Sequence, residues 1–114
     1  MELKLVEVLY SEPKQMIVIQ VEEDCNLWPY ILMVFDGNSS NRGIPSFTYV
    51  FEAKLVKKND YILVHSIDGK DSVTKNRLGT NSHSFYMGDN MLFPEKTGKY
   101  NVVLMKVDEY QRFK

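Results

Sequence analysis

Chemistry in this chain has few residues to work with. The imidazoles are His65 and His83, and the one thiol is Cys25. A cysteine and a histidine brought together by folding can act as nucleophile and base. Glu23 and Asp24 precede the cysteine directly. Negative charge there raises a thiol pKa and opposes nucleophilicity. Two histidines and one cysteine, so scattered, do not make a typical zinc set. Aromatic side chains offer a different chemistry. Trp28-Pro29-Tyr30 follows a turn, and Phe85-Tyr86-Met87 follows a long polar stretch. Neighbours on a strand point to opposite faces, so one of Phe85 and Tyr86 is expected to face outward as a binding anchor.

Several motifs match only in part. Ser11-Glu12-Pro13-Lys14 and Ser72-Val73-Thr74-Lys75 read Ser-x-x-Lys, and Lys96-Thr97-Gly98 imitates the third box of penicillin-binding enzymes. That chemistry needs the serine at a helix N-terminus with its lysine one turn on. Both serines are expected in turns of a β chain instead. Asp36-Gly37-Asn38-Ser39-Ser40 opens like a calcium loop, but Asn41 and Phe47 stand where an EF-hand needs Gly and Glu. A looser calcium site using Asp68 or Asp71 is the residual metal reading, and no metal or cofactor is expected. The Asn38-Ser39-Ser40 sequon is read as a turn.

Composition narrows the class. The 114 residues carry 14 Lys and Arg against 15 Asp and Glu, with 44% apolar and 25% charged residues. That is globular usage, and the near-neutral balance excludes a chain-wide polybasic surface for nucleic acid or anionic lipid. One domain of this length buries roughly two-thirds of its unfolded surface and needs no staple. A lone cysteine forms no intrachain disulfide, so a reducing, cytoplasmic location is expected. The start, Met1-Glu2-Leu3-Lys4-Leu5-Val6-Glu7, is too acidic for a signal peptide, and no apolar run is long enough to span a membrane. Residues 1–36 hold seven acids and two bases, and residues 37–114 hold eight acids and twelve bases. Interleaving of strands is expected to cancel that asymmetry.

The elements that must position these residues show a period of two. Ile17, Ile19 and Val21 share one face of a strand over Met16–Val21. Phe47, Tyr49, Phe51, Ala53 and Leu55 share another, with Val50 the exception. Tyr61–Ile67 follows Lys57-Lys58-Asn59-Asp60, so the two segments predict a hairpin with a polar turn. Further strands are predicted at Leu3–Tyr10, Leu27–Phe35, near Ser84–Met87, and at Tyr100–Val107. Pro13 marks a turn, and Pro29 lacks a donor and belongs at an edge or bulge. Asp36–Gly43 and Lys70–Ser82 read as loops. No segment carries helical periodicity.

The order of these signals resembles the lamin tail domain. Leu27-Trp28-Pro29-Tyr30-Ile31-Leu32 takes the place of that family's Leu-x-Gly-Trp-x-Leu element. Tyr49-Val50-Phe51-Glu52, Leu55, Asn59-Asp60 and Val64-His65-Ser66-Ile67-Asp68-Gly69 are similar to its middle strands. Phe85-Tyr86-Met87-Gly88 resembles its Leu-Tyr-Trp-Gly segment, and Leu92-Phe93-Pro94 with Gly98–Leu104 its closing strand. The resemblance implies an immunoglobulin-like β-sandwich used for docking proteins, or sometimes nucleic acid, without catalysis in the domain.

The resulting expectation is an all-β, mainly antiparallel sandwich of about seven strands over residues 1–107, with a short tail at 108–114. Its expected role is a non-catalytic module docking a protein or a second copy of itself as a dimer. The contact surface is placed at a loop end built from Trp28, Tyr30, Tyr86 and Phe93, with His83 nearby. A sandwich holding a small molecule or sugar on Trp28 or Tyr86, with Asn81, His83 or Asp89, is the first alternative. A small enzyme using Cys25 or His83 is the second. Nucleic acid on Lys54, Lys57 and Lys58 is disfavoured, because such runs are usually solvated hairpin tips.

Overall fold

The computed structural model describes residues 1–9, 15–36, 45–87 and 100–108. Among them there is no helix. The strands are β1 (Leu3–Leu9), β2 (Met16–Val21), β3 (Cys25–Asn26), β4 (Tyr30–Asp36), β5 (Phe47–Val50), β6 (Leu55–Val56), β7 (Tyr61–His65), β8 (Ser72–Lys75), β9 (Asn81–Tyr86) and β10 (Tyr100–Lys106). They form a five-stranded sheet in the order β1-β2-β7-β9-β8, a three-stranded sheet β10-β4-β5 and a short pair β3-β6. Every ladder is antiparallel except β7–β9, which is parallel. Among the described residues no sheet closes into a barrel. The protein is all-β, as the alternation predicts.

One buried cluster joins the two larger sheets. Ile17, Ile19, Val21, Ile62, Val64 and Phe85 come from the five-stranded sheet, and Tyr30, Leu32 and Val34 from β4. Phe51 and Val56 fill in from the segment after β5. Each such side chain contributes about 1.5–3 kcal/mol on burial, before the entropy of ordering it is subtracted. The expected face of β2 is correct: Ile17, Ile19 and Val21 are wholly buried.

Three expectations about the strands need correction. The segment from Phe47 to Leu55 is not one strand and forms no hairpin with Tyr61–His65. β5 stops at Val50, β6 pairs with β3, and β7 lies between β2 and β9. The cause is a change of phase. Phe51 turns into the core with its N–H on the Tyr30 carbonyl at 3.3 Å. Ala53 and Leu55 then face solvent while Val56 is buried. Second, the strand beginning at Leu27 starts only at Tyr30. Leu27–Pro29 is a turn closed by Tyr30 N–H on the Leu27 carbonyl at 2.8 Å, and the Trp28–Pro29 peptide is cis. Third, the expected loop at 70–82 contains β8 and the start of β9, joined by a tight turn.

That turn is organised by one side chain. Asn76 Oδ1 accepts from the Leu78 N–H at 3.0 Å, the Thr80 N–H at 3.2 Å and the Thr80 hydroxyl at 3.0 Å. Gly79 supplies φ +80°, where a Cβ is strained. Asn59, at φ 73°, does the same in the Lys57–Asp60 turn, where asparagine is tolerated.

Candidate interaction surface

Of the expected site residues, Trp28, Tyr30, His83 and Tyr86 lie among the described residues. Trp28 is exposed, at 39%, in its turn. Tyr30 is wholly buried, which corrects its assignment as a contact residue. Its ring completes the core, and its hydroxyl donates to Glu2 Oε2 at 2.5 Å. Tyr86 does lie opposite Phe85, but it is covered rather than free. His65 stacks on it at 4.5 Å with an interplanar angle of 11°, and a Cβ added at Gly69 would come within 2.5 Å of the ring. Its backbone N–H donates to Asp71 Oδ1 at 2.9 Å. Phe93, Asp89, the segment 11–14, the sequon and the Lys96–Gly98 box lie outside the described residues. The tail at 109–114 does so as well.

His83 is buried and serves a turn. Its Nε2 lies 2.9 Å from Asp60 Oδ2, and an ionised carboxylate only accepts, so Nε2 carries the proton. Asp60 also accepts from the Asn81 N–H at 3.0 Å and the Lys57 N–H at 3.1 Å. Burial pushes the Asp60 pKa up, but these hydrogen bonds outweigh it and hold the carboxyl below its usual value. The group thus ties the β6–β7 turn to the start of β9. His83 Nδ1 is buried without a hydrogen-bond partner. Cys25 is half-exposed, and its pKa is pushed up by burial and then by the Glu2 charge, with Asp24 and Glu23 adding to it. Ser72–Lys75 is strand β8, so Ser72 and Lys75 project to opposite faces rather than meeting on a helical turn. Among the described residues no group of three or more His, Cys, Asp or Glu is placed to hold a metal ion. An open polar hollow of about 410 Å³ is lined by Lys4, Gln20, Glu22, Lys58 and Asn59, with none of the residues expected to hold a ligand.

A different surface emerges on the three-stranded sheet. Tyr30, Leu32 and Val34 fill the core, so the odd-numbered residues of β4 face the other way. The register places Ile31 between Met105 of β10 and Val50 of β5, and Met33 between Val103 and Thr48. Phe35 pairs with Asn101. Val50 is 49% exposed, Val103 37% and Met105 39%, while Ile31, Met33 and Phe35 are half-buried. The outer face of this sheet is therefore almost wholly apolar. Thr48 and Asn101 are its polar members, and none of these side chains is charged. Monomeric proteins seldom leave contiguous apolar area of this kind uncovered.

β10 is the outermost described strand on its side of that sheet. Val107 N–H donates to the Pro29 carbonyl at 3.0 Å, so odd-numbered residues of β10 turn their backbone groups toward β4. Val102, Leu104 and Lys106 therefore aim theirs away from β4, on the side where no described strand pairs. The other edges are guarded or short. β1 is bent by a bulge between Leu5 and Glu7, and β5 and β8 have four residues each. β10 runs seven residues in unbroken register and carries one charge, Lys106, at its end.

A polar clamp holds this sheet in place. Lys106 Nζ donates to Glu2 Oε1 at 2.8 Å, and the Glu2 N–H donates to the Tyr30 hydroxyl at 3.2 Å. The bonds from Lys106 and Tyr30 bring the Glu2 pKa down from 4.5 to about 2. In return the ion pair raises Lys106, and burial together with Glu2 raises Tyr30. Acids of the N-terminal third also meet later bases at Asp24–Lys57, 3.6 Å apart.

Sequence reasoning missed Ile31, Met33, Phe35, Val50, Val103 and Met105 as surface residues. The signal was present. Tyr30–Phe35 and Val102–Met105 are apolar runs without alternation, and Val50 breaks an otherwise regular pattern. Such runs read as strands buried on both faces. No described helix is long and apolar enough to cross a membrane. Comparison with protein-family models, curated proteins and solved structures finds no match to this chain.

Proposed function

We propose that the chain is a non-catalytic interaction module, an immunoglobulin-like β-sandwich of the lamin tail kind, which docks a protein on the outer face of β10-β4-β5. The apolar outer face carries this reading. Ile31, Met33 and Phe35, flanked by Val103, Met105 and Val50, form a stripe that water does not favour. The sandwich architecture is supported by the single core to which both larger sheets contribute.

The alternatives draw less support. The open hollow beside Lys4 and Lys58 is lined mainly by polar side chains, with Met1 and Val21 its apolar members, whereas small-molecule sites are lined mostly by apolar ones. A thiol whose pKa is raised is a poor nucleophile, and His83 is spent on Asp60. The immobilised chain should retain a protein from lysate that Met33→Lys loses. Val73→Lys, on the exposed strand β8, should keep it. Retention indifferent to Met33→Lys would overturn the reading.

A further inference from the structure

We infer that two copies of this chain pair antiparallel along β8, about a twofold axis through Val73. The inference goes beyond the docking reading and does not use its surface, because β8 belongs to the five-stranded sheet.

β8 ends that sheet, and no described strand lies beyond it. The residues on either side, 69–71 and 76–80, are described as well. Asp71 and the whole of Ser72–Lys75 are exposed, with Val73 at 47%. The ladder to β9 fixes which backbone groups look outward. Asn76 N–H donates to the Thr80 carbonyl at 2.9 Å, so even-numbered residues of β8 bond to β9. Val73 and Lys75, with Asp71 just before the strand, turn theirs to the outer edge. An antiparallel neighbour must set odd residues opposite odd ones, which also keeps the two cores on one side of the joined sheet.

Four residues are few for an edge that accepts any strand. This edge, however, is complementary to itself. Centred on Val73, the register sets Asp71 opposite Lys75, Ser72 opposite Thr74, and Val73 opposite its copy. Each cross-strand pair is of a favourable type: opposite charges, two hydroxyls, and two β-branched side chains. A slide by two residues in either direction breaks both charge pairs. The charges are available for this contact. Lys75 makes no ion pair among the described residues. Asp71 gives Oδ1 to the Tyr86 N–H at 2.9 Å, which fixes the carboxylate at the start of the strand. The Asn76 side chain holds the other end, where it accepts from the Leu78 and Thr80 N–H groups. A formal charge of −1 gives two copies little long-range repulsion. The product is one continuous ten-stranded sheet.

Sedimentation velocity over a micromolar-to-millimolar concentration series should show a monomer–dimer equilibrium. Val73→Lys should raise the apparent dissociation constant about tenfold, because it sets two ammonium groups face to face. Val73→Glu should do the same, and an equimolar mixture of the two variants should recover the dimer. Lys75→Glu should also weaken it, since each new carboxylate meets Asp71 of the second copy. These positions are exposed, so the variants should keep the wild-type circular dichroism. In a Cys25→Ser background, Val73→Cys should oxidise in air to a disulfide-linked dimer, since opposed Cα atoms at a hydrogen-bonded position lie about 5.5 Å apart. Leu78→Cys, more exposed but in the turn beyond the strand, should cross-link far more slowly. A wild-type chain that stays monomeric overturns the pairing. So does a dimer unchanged by Val73→Lys and Lys75→Glu, or one that Met33→Lys abolishes and Val73→Lys does not. If the chain is monomeric but Met33→Lys still loses a captured protein, only the pairing fails. If it dimerises as described but capture ignores Met33→Lys, the pairing stands and the docking reading fails.

Discussion

Glu2 is the residue on which the three-stranded sheet is fastened. Its carboxylate takes one hydrogen bond from Lys106 and one from Tyr30. With a folded pKa of about 2 against an ordinary 4.5, the folded state binds fewer protons than the unfolded chain in that interval. Its contribution is complete above about pH 4.5 and is lost as the pH falls toward 2. Urea midpoints measured from pH 6 to 2.5 should therefore fall less steeply for Glu2→Gln than for the wild type. Parallel curves would remove Glu2 from this role. Asp60 makes the stronger case, since it is buried and accepts from three donors. Asp60→Ala leaves those donors without an acceptor and should cost about 2–4 kcal/mol, read as a lower urea midpoint at pH 7. A loss under 1 kcal/mol would mean that water replaces the carboxylate.

At the scale of elements, legibility depended on whether a strand has a dry side. β2 and β7 do, and their alternating residues are visible in the sequence. β8 does not: Ser72–Lys75 are all exposed, so there is no apolar rhythm to find. Its stability comes from the ladder to β9 and from the Asn76 side chain across the turn. Asn76→Ala should thus loosen this hairpin selectively, at about 1–2 kcal/mol. Amide exchange should quicken in β8 and at the start of β9 and stay unchanged in β1 and β2. Uniform acceleration would mean that the hairpin opens only with the whole domain. The break between β5 and β6 was hidden for the opposite reason. Phe47, Tyr49 and Phe51 are truly in phase and point inward, so the regularity up to Phe51 concealed the change of phase after it.

Across the whole molecule, the same alternation that located the core obscured the surface. A period of two separates oil from water only when one face meets water. In β4 and β10 both faces are apolar, and the sequence does not say which is inside. Register and the position of the sheet in the fold decide it: Leu32, Val34, Val102 and Leu104 face the core, and Met33, Val103 and Met105 do not. The aromatic residues misled for a related reason. Tyr30 has a polar tip, which reads as surface, yet that tip is satisfied by Glu2 at the core margin.

The two faces of β10 should respond oppositely to equivalent changes. Val102 and Leu104 pack against the core, whereas Val103 and Met105 are more than one-third exposed. Threonine suits a strand as well as valine does, so a substitution to it reports mainly the lost burial. Val103→Thr with Met105→Thr should shift the unfolding free energy by less than about 1 kcal/mol. Val102→Thr with Leu104→Thr removes apolar volume and buries hydroxyls, and should cost about 3 kcal/mol or more. Capture of a partner protein should show the reverse order, weakening in the outward pair, while the inward pair loses capture only in step with its folded fraction. Equal destabilisation by the two pairs would mean that the outer face is covered within a single chain. The apolar stripe would then be core, and the docking function would lose its surface.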